Sequence, residues 1–256
     1  MSQHKALAMF GRSGNPSLNE ATFTSESYGQ GRVMTLQGTV NKTGILLALL
    51  VLAAVYPWNL YFQSGNPALV MPFALGGAIG GFIFALVTTF KKTWAAITAP
   101  IYALLQGLFL GSVSALFEAQ YPGIVIQATG LTFGTLASLL MLYKLGIIKP
   151  TENFKLMIVS ATMGIGVLYF ISFIMNMFGS TGIGFIHSSG IFGIGFSLFV
   201  VAIAALNLVL DFDFIEQGSE QGAPKYMEWY GAFSLMVTLV WLYLEILRLL
   251  AKLRSR

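Results

Sequence analysis

Seven stretches of apolar residues recur along the chain: Thr43–Phe62, Ala68–Phe90, Ala95–Phe117, Ile124–Tyr143, Phe154–Phe178, Ile191–Leu210 and Trp229–Leu250. Each is close to the roughly 20 residues that a helix needs to cross the hydrocarbon core of a bilayer. Backbone groups left unpaired in hydrocarbon cost several kcal/mol each, so such stretches must be helical. Breakers stand between them: Gly65-Asn66-Pro67, Tyr121-Pro122-Gly123, Lys149-Pro150 and Gly222-Ala223-Pro224. Pro57, Pro72 and Pro100 fall inside or at the start of apolar stretches, where helix starts and kinks tolerate them. Composition points the same way. The chain of 256 residues is 56% hydrophobic and 9% charged, whereas a soluble domain carries roughly 25% charged residues. So few charges cannot make a water-facing surface, and a lipid bilayer must cover much of the outside. The expected fold is an all-α membrane protein, a seven-transmembrane-helix bundle over residues 41–252. A flexible polar tail, rich in Ser, Gly and Asn, is expected over residues 1–40, and a short basic tail over 253–256. The first tail has no apolar core near its start, so the first helix is expected to serve as an uncleaved insertion signal.

Composition also excludes chemistry. The absence of cysteine removes disulfides, iron–sulfur clusters, thiolate zinc sites and cysteine nucleophiles. Two histidines, His4 and His187, are too few for a histidine-rich metal cage. There is no HExxH and no GxSxG motif, and no histidine stands beside a serine in a helix. An intramembrane aspartyl protease needs aspartates on two facing helices, and here one helix end supplies them all. The chain is therefore not expected to be an enzyme, to carry a cofactor or metal, or to bind nucleic acid. The glycine-rich stretch Gly179–Gly195 has neither GxGxxG nor a following Lys-Ser/Thr, and reads as a flexible turn and helix start. Gly76 with Gly80, Gly77 with Gly81, and Gly107 with Gly111 form GxxxG pairs. Such pairs let helix backbones approach closely; the simplest reading is packing within the chain, the other a homodimer seam.

The basic residues alternate. Lys5, Arg12, Arg32 and Lys42 precede the first helix; Lys91 and Lys92 follow the second; Lys144, Lys149 and Lys155 follow the fourth; Lys225 follows the sixth. The loops after helices one, three and five have no Lys or Arg. This positive-inside pattern puts the N-terminus in the cytoplasm. Arg248, Lys252, Arg254 and Arg256 then break the pattern, because seven crossings place the C-terminus outside. Either the seventh segment spans despite them, or it enters and returns. Its length, and its lack of a mid-helix Pro or Gly pair, favour the span.

The spans' acids cluster late. Helices two to five carry neutral polar groups in their interiors, among them Gln106, Gln127, Thr132, Thr135 and Asn176. Asp211, Asp213, Glu216, Glu228 and Glu245 all lie in the last 46 residues, and ionisable groups at membrane depth default to a functional hypothesis. Asn207 and Asp211 are one helical turn apart on one face. Asp213 lies about 200° round from Asp211; with Glu216 and Glu220 it reads as a loop acid at the cytoplasmic surface. Ser234, Thr238, Trp241 and Glu245 make one stripe on the last helix, and Glu245 with Arg248 reads as an ion pair at the helix end. Glu228 opens that helix, where the dipole favours a carboxylate. Gln106 is equally interhelical glue or a pathway group.

The stretch from Leu206 through Asn207, Asp211 and Asp213 to Ile215, then Glu228-Trp229-Tyr230, then Trp241 through Glu245 and Arg248 to Leu250, resembles the Bax inhibitor-1 family, and looks closest to its bacterial branch of inner-membrane proteins. Asn41–Leu47 and Gln106–Gly111 also match, so the resemblance spans roughly residues 40–252. It implies a seven-helix fold around a central last helix, and a pH-sensitive calcium leak in which two membrane aspartates form a proton-sensitive latch. Asp211 matches the first aspartate. Thr238 stands in the place of the second, and Gln106 where many members carry glutamate; both departures remove a carboxylate. Two functions are carried forward. One is a slow, proton-modulated leak for Ca2+ or protons, with Asp211 as gate and Asn207, Thr238, Asp213, Glu228 and Gln106 as pathway candidates. The other is a non-conducting regulatory protein that binds other membrane proteins, such as a membrane protease, through its N-terminal tail. A proton-coupled transporter lacks the paired broken helices it would need. The expected location is the bacterial inner membrane, crossed repeatedly, with the N-terminus cytoplasmic.

Overall fold

The computed structural model describes residues 33–178, 183, 184 and 188–255. Seven long helices carry the chain: α1 (Leu36–Ser64), α2 (Pro67–Phe90), α3 (Ala95–Gln120), α4 (Ile124–Lys144), α5 (Glu152–Met177), α6 (Ile191–Glu220) and α7 (Met227–Arg254). All seven are long and apolar enough to cross a membrane. A short 3-10 turn, Lys92–Trp94, precedes α3. Residues 179–182 and 185–187 of the glycine-rich stretch, both histidines and most of the N-terminal tail lie outside the described residues.

Local chemistry sets the boundaries. Thr35 caps α1, its Oγ1 accepting from Gly38 N at 3.0 Å. The helix ends at Gly65, whose φ of 64° is left-handed and whose N–H closes on the Tyr61 carbonyl; glycine takes that conformation without a Cβ penalty. Asn66 caps α2 through Ala68 N at 3.0 Å, and Pro67 fills the first helical position, where no N–H is needed. Thr151 caps α5.

Two corrections to the expected boundaries follow. Residues 36–40, assigned to the flexible tail, already belong to α1, and Val33 and Met34 are ordered too: Val33 bridges Pro224, and Met34 N donates to the Ala223 carbonyl at 2.7 Å. At the other end α7 runs to Arg254, past the expected boundary at 252.

The described residues fall into two compact units. One comprises Phe23–Val125 and Ile215–Val237, as far as these are described. In it α1 and α2 both pack on α3 through small residues. A Cβ on Gly107 would run into the Leu50 carbonyl, one on Gly111 into the Ala54 carbonyl, and one on Gly77 would lie 2.5 Å from the Leu105 carbonyl. Gly80 and Gly81 meet the side chains of Leu105 and Gln106, whereas Gly76 faces open space. The GxxxG pairs thus pack helices of this chain against one another, apart from Gly76. A hydroxyl pair, Thr88 with Thr98 at 2.8 Å, joins the end of α2 to the start of α3.

The other unit comprises Ile126–Phe214 and the chain from Thr238 onward. Its apolar core is Ile158, Val159, Ile165, Val200, Ile203 and Leu210, with Phe196, Leu206, Tyr169 and Trp241 packed against it. Of the seven helices α7 is the most enclosed and α6 the next, while α1, α2 and α4 turn most of their apolar surface outward. Large exposed side chains such as Phe82, Ile97, Phe170 and Phe173 are what a hydrocarbon solvent would cover.

Candidate functional site

The acids of the last two helices separate into four settings. Asp211, on α6, is fully buried. Its Oδ2 accepts from Thr238 Oγ1, on α7, at 2.6 Å, a distance typical of a hydroxyl bonding to a carboxylate. One turn earlier Asn207, 2% exposed, donates from Nδ2 to Thr162 Oγ1 on α5 at 2.8 Å and to its own Ile203 carbonyl at 2.9 Å. Asn207 Oδ1 is buried with no hydrogen-bond partner among the described residues. The polar face expected of Asn207 and Asp211 therefore points inward, and burial rules out a wet helix end for Asp211.

Asp213 corrects the sequence reading. It is not in a loop, because α6 continues ten residues beyond Leu210 and holds Asp213, Glu216 and Glu220 within its last turns. No proline interrupts this run, and Phe212, Phe214 and Ile215 anchor it by burial. Asp213 forms an ion pair with Lys155 at 2.7 Å. Lys155, near the start of α5, is itself buried, although sequence presented it as a topology lysine.

Glu228 is likewise more than a helix-opening acid. Its carboxylate is fully buried. Oε1 accepts from Thr35 N at 2.9 Å, Thr35 Oγ1 at 2.8 Å and Lys225 Nζ at 2.6 Å, and Oε2 pairs with Lys42. Lys42 also lies over the Trp229 ring, 5.5 Å from its centroid. A Cβ at position 38 would press on this carboxylate and oblige it to shift. Together these bonds form a clasp that pins residues 33–42 to the start of α7.

Glu245, 2% exposed, forms the expected pair with Arg248 at 2.9 Å. Sequence did not reveal its third member: the Tyr169 hydroxyl, on α5, donates to Glu245 Oε1 at 3.1 Å and accepts from Arg248 Nη1 at 2.8 Å. One turn on, the buried Lys252 donates to the Gly193 carbonyl at 3.0 Å and to Ser197 Oγ at 2.8 Å. Arg254 reaches Gln127 Oε1 at 2.9 Å. Of the basic residues that break the charge pattern, Arg248, Lys252 and Arg254 are thus bound to acceptors of the fold, and Arg256 lies outside the described residues. Gln106 packs its amide where Gly81 lacks a side chain, and its Oε1 is buried without a partner among the described residues.

The structure thus brings Asp211, Thr238, Asn207 and Thr162 together, and Glu245, Arg248 and Tyr169 together. Among the described residues no three His, Cys, Asp or Glu side chains gather as a metal set. One carboxylate with two hydroxyls and an amide falls well short of the six to eight oxygens that hold calcium. Such a site suits brief contact with a cation better than storage.

No curated protein and no solved structure matches the chain. The sequence profile of the Bax inhibitor 1 like family matches residues 15–255. That match covers nearly the whole chain, including all seven apolar helices and both polar clusters, and the protein belongs to the Bax inhibitor 1 like family.

Proposed function

We propose that this membrane protein is a slow, proton-modulated cation leak gated at Asp211, with calcium as the candidate ion. The observation that carries the reading is the bond between the buried Asp211 carboxylate of α6 and the Thr238 hydroxyl near the middle of α7. Hydrogen bonds to an ionised partner are roughly twice as strong as neutral ones. With Asp211 ionised, the bond latches the two helices. Protonation replaces it by a neutral bond and loosens the latch, so acid should open the path. Asn207 and Thr162 line the same face and offer a passing cation neutral oxygens.

The test is calcium and proton flux into liposomes holding the purified protein, scanned over about pH 5 to 8, with Asp211→Asn alongside. Flux that rises toward acid in the native protein, and no longer responds to pH in Asp211→Asn, supports the gate. An unchanged pH response in Asp211→Asn would sink it.

The alternating basic loops support a cytoplasmic N-terminus, and with the residues of the resemblance they favour the bacterial inner membrane. The rival reading is a regulatory protein whose tail captures other membrane proteins. It draws on the composition of residues 1–32, which are polar and rich in Ser, Gly and Asn. Because Met34 and Thr35 belong to the fold, a truncation must stop at residue 32. Loss of a membrane partner on that truncation, with no flux from the native protein, would favour the rival.

A further inference from the structure

Nη1 of Arg248 occupies a position 2.9 and 3.2 Å from the two Glu245 oxygens and 2.8 Å from the Tyr169 hydroxyl oxygen. One nitrogen thus serves three oxygens of two side chains. This differs from the usual arginine–carboxylate pair, in which two nitrogens meet two oxygens in parallel and bind more strongly. The guanidinium also lies 5.3 Å from the Tyr169 ring centroid, over a face that attracts any cation. The two partners differ in access: the Glu245 side chain is 2% exposed and that of Arg248 is 37% exposed. The carboxylate is therefore fixed in the interior, while the arginine reaches in from the accessible end on a long, flexible stem. It can withdraw its charge toward water or headgroups without disturbing the helix.

Resting on the leak reading above, we propose that Glu245 and Tyr169 form a cation-binding site and that Arg248 is a tethered cation occupying it. A calcium ion must displace the guanidinium to bind. The site lies on the same face of α7 as Thr238, seven residues and about 10 Å of helix rise away. Trp241 stands between them, packed against the apolar cluster that contains Ile165, Val200 and Ile203. Two polar stations separated by an apolar belt make entry at Glu245 a step distinct from release of the latch at Asp211. The buried Lys252, one turn beyond Arg248, is bonded to Gly193 and Ser197 and adds a second positive charge near the entrance, which keeps the leak slow.

The test measures calcium flux in liposomes against calcium concentration, at a neutral and an acid pH, for the native protein, Arg248→Gln, Arg248→Lys, Tyr169→Phe and Asp211→Asn. Removing the tethered cation in Arg248→Gln should lower the half-saturating calcium concentration about tenfold, the scale of one hydrogen bond to a charged group. Arg248→Lys should stay near native. Tyr169→Phe keeps the ring and the packing on Phe196 but loses an oxygen of the site, and should raise the half-saturating concentration several-fold, so the proposal stays testable even where Arg248→Gln fails to fold. Native half-saturation in Tyr169→Phe and Arg248→Gln, with the pH response abolished in Asp211→Asn, would make the triad a structural ion pair and leave the gate reading standing. No flux from the native protein at any calcium concentration would overturn both.

Discussion

At position 238 a hydroxyl stands where the family resemblance leads one to expect a second carboxylate, and it bonds Asp211 at 2.6 Å. Two carboxylates at that separation cannot both ionise and share a proton instead. A dyad is therefore held together by acid, whereas the Asp211–Thr238 bond is strongest with Asp211 ionised. Thr238→Asp should accordingly reverse the pH response, so that flux falls as pH falls; a flux profile across pH checks it. Thr238→Val should weaken the latch and raise flux at neutral pH about tenfold, the equivalent of one hydrogen bond to a charged group. At the clasp, Glu228→Ala removes the partner of Lys42, which is 16% exposed. We expect a loss of about 2 kcal/mol, read as a lower unfolding temperature in detergent. Gly38→Ala should cost less than Glu228→Ala, because the added carbon presses only on the end of the Glu228 side chain, which can shift.

Between helices, close approach depends on which glycine faces which backbone. Gly107 and Gly111 receive the carbonyls of Leu50 and Ala54 on α1, and Gly77 that of Leu105 on α3. An alanine at any of these meets backbone, which cannot rotate away, so Gly107→Ala should cost about 1–3 kcal/mol. Gly76→Ala meets nothing and should leave stability within about 0.5 kcal/mol of native. Thermal unfolding of the two variants side by side checks the contrast. The four GxxxG positions of α2 look alike in sequence; their difference comes from the rotation of α2 against α3, which spacing alone does not specify.

For the molecule as a whole, the absence of cysteine makes single-cysteine labelling a clean measure of topology. A membrane-impermeant thiol reagent applied to right-side-out vesicles should label Ser64→Cys, Tyr121→Cys and Ser255→Cys. It should spare Leu145→Cys and Gln221→Cys until the membrane is opened. Protection of Ser255→Cys would mean that the last segment returns rather than spans. The binding of Arg248, Lys252 and Arg254 to Glu245, Gly193, Ser197 and Gln127 explains why these charges need not govern orientation. A charge already solvated by the fold is less available to hold a chain end in the cytoplasm.

Seven apolar runs separated by breakers were enough to determine seven helices, because hydrocarbon leaves the backbone no alternative. Spacing along one helix was also enough to pair Glu245 with Arg248 and to set Asn207 on the face of Asp211. Tertiary structure decided everything that needed a partner from elsewhere in the chain. Asp213 found the buried Lys155, 58 residues earlier in the chain. Tyr169 joined Glu245 from 76 residues away, and Glu228 gathered Thr35 and Lys42 from 193 and 186 residues away. The helical period fixes which side chains share a face. It says nothing of which helix that face meets, since side-chain packing chooses the neighbour. The assignment of Asp213 to a loop failed for that reason: an aspartate near a helix end belongs to water unless a lysine on another helix is there to receive it.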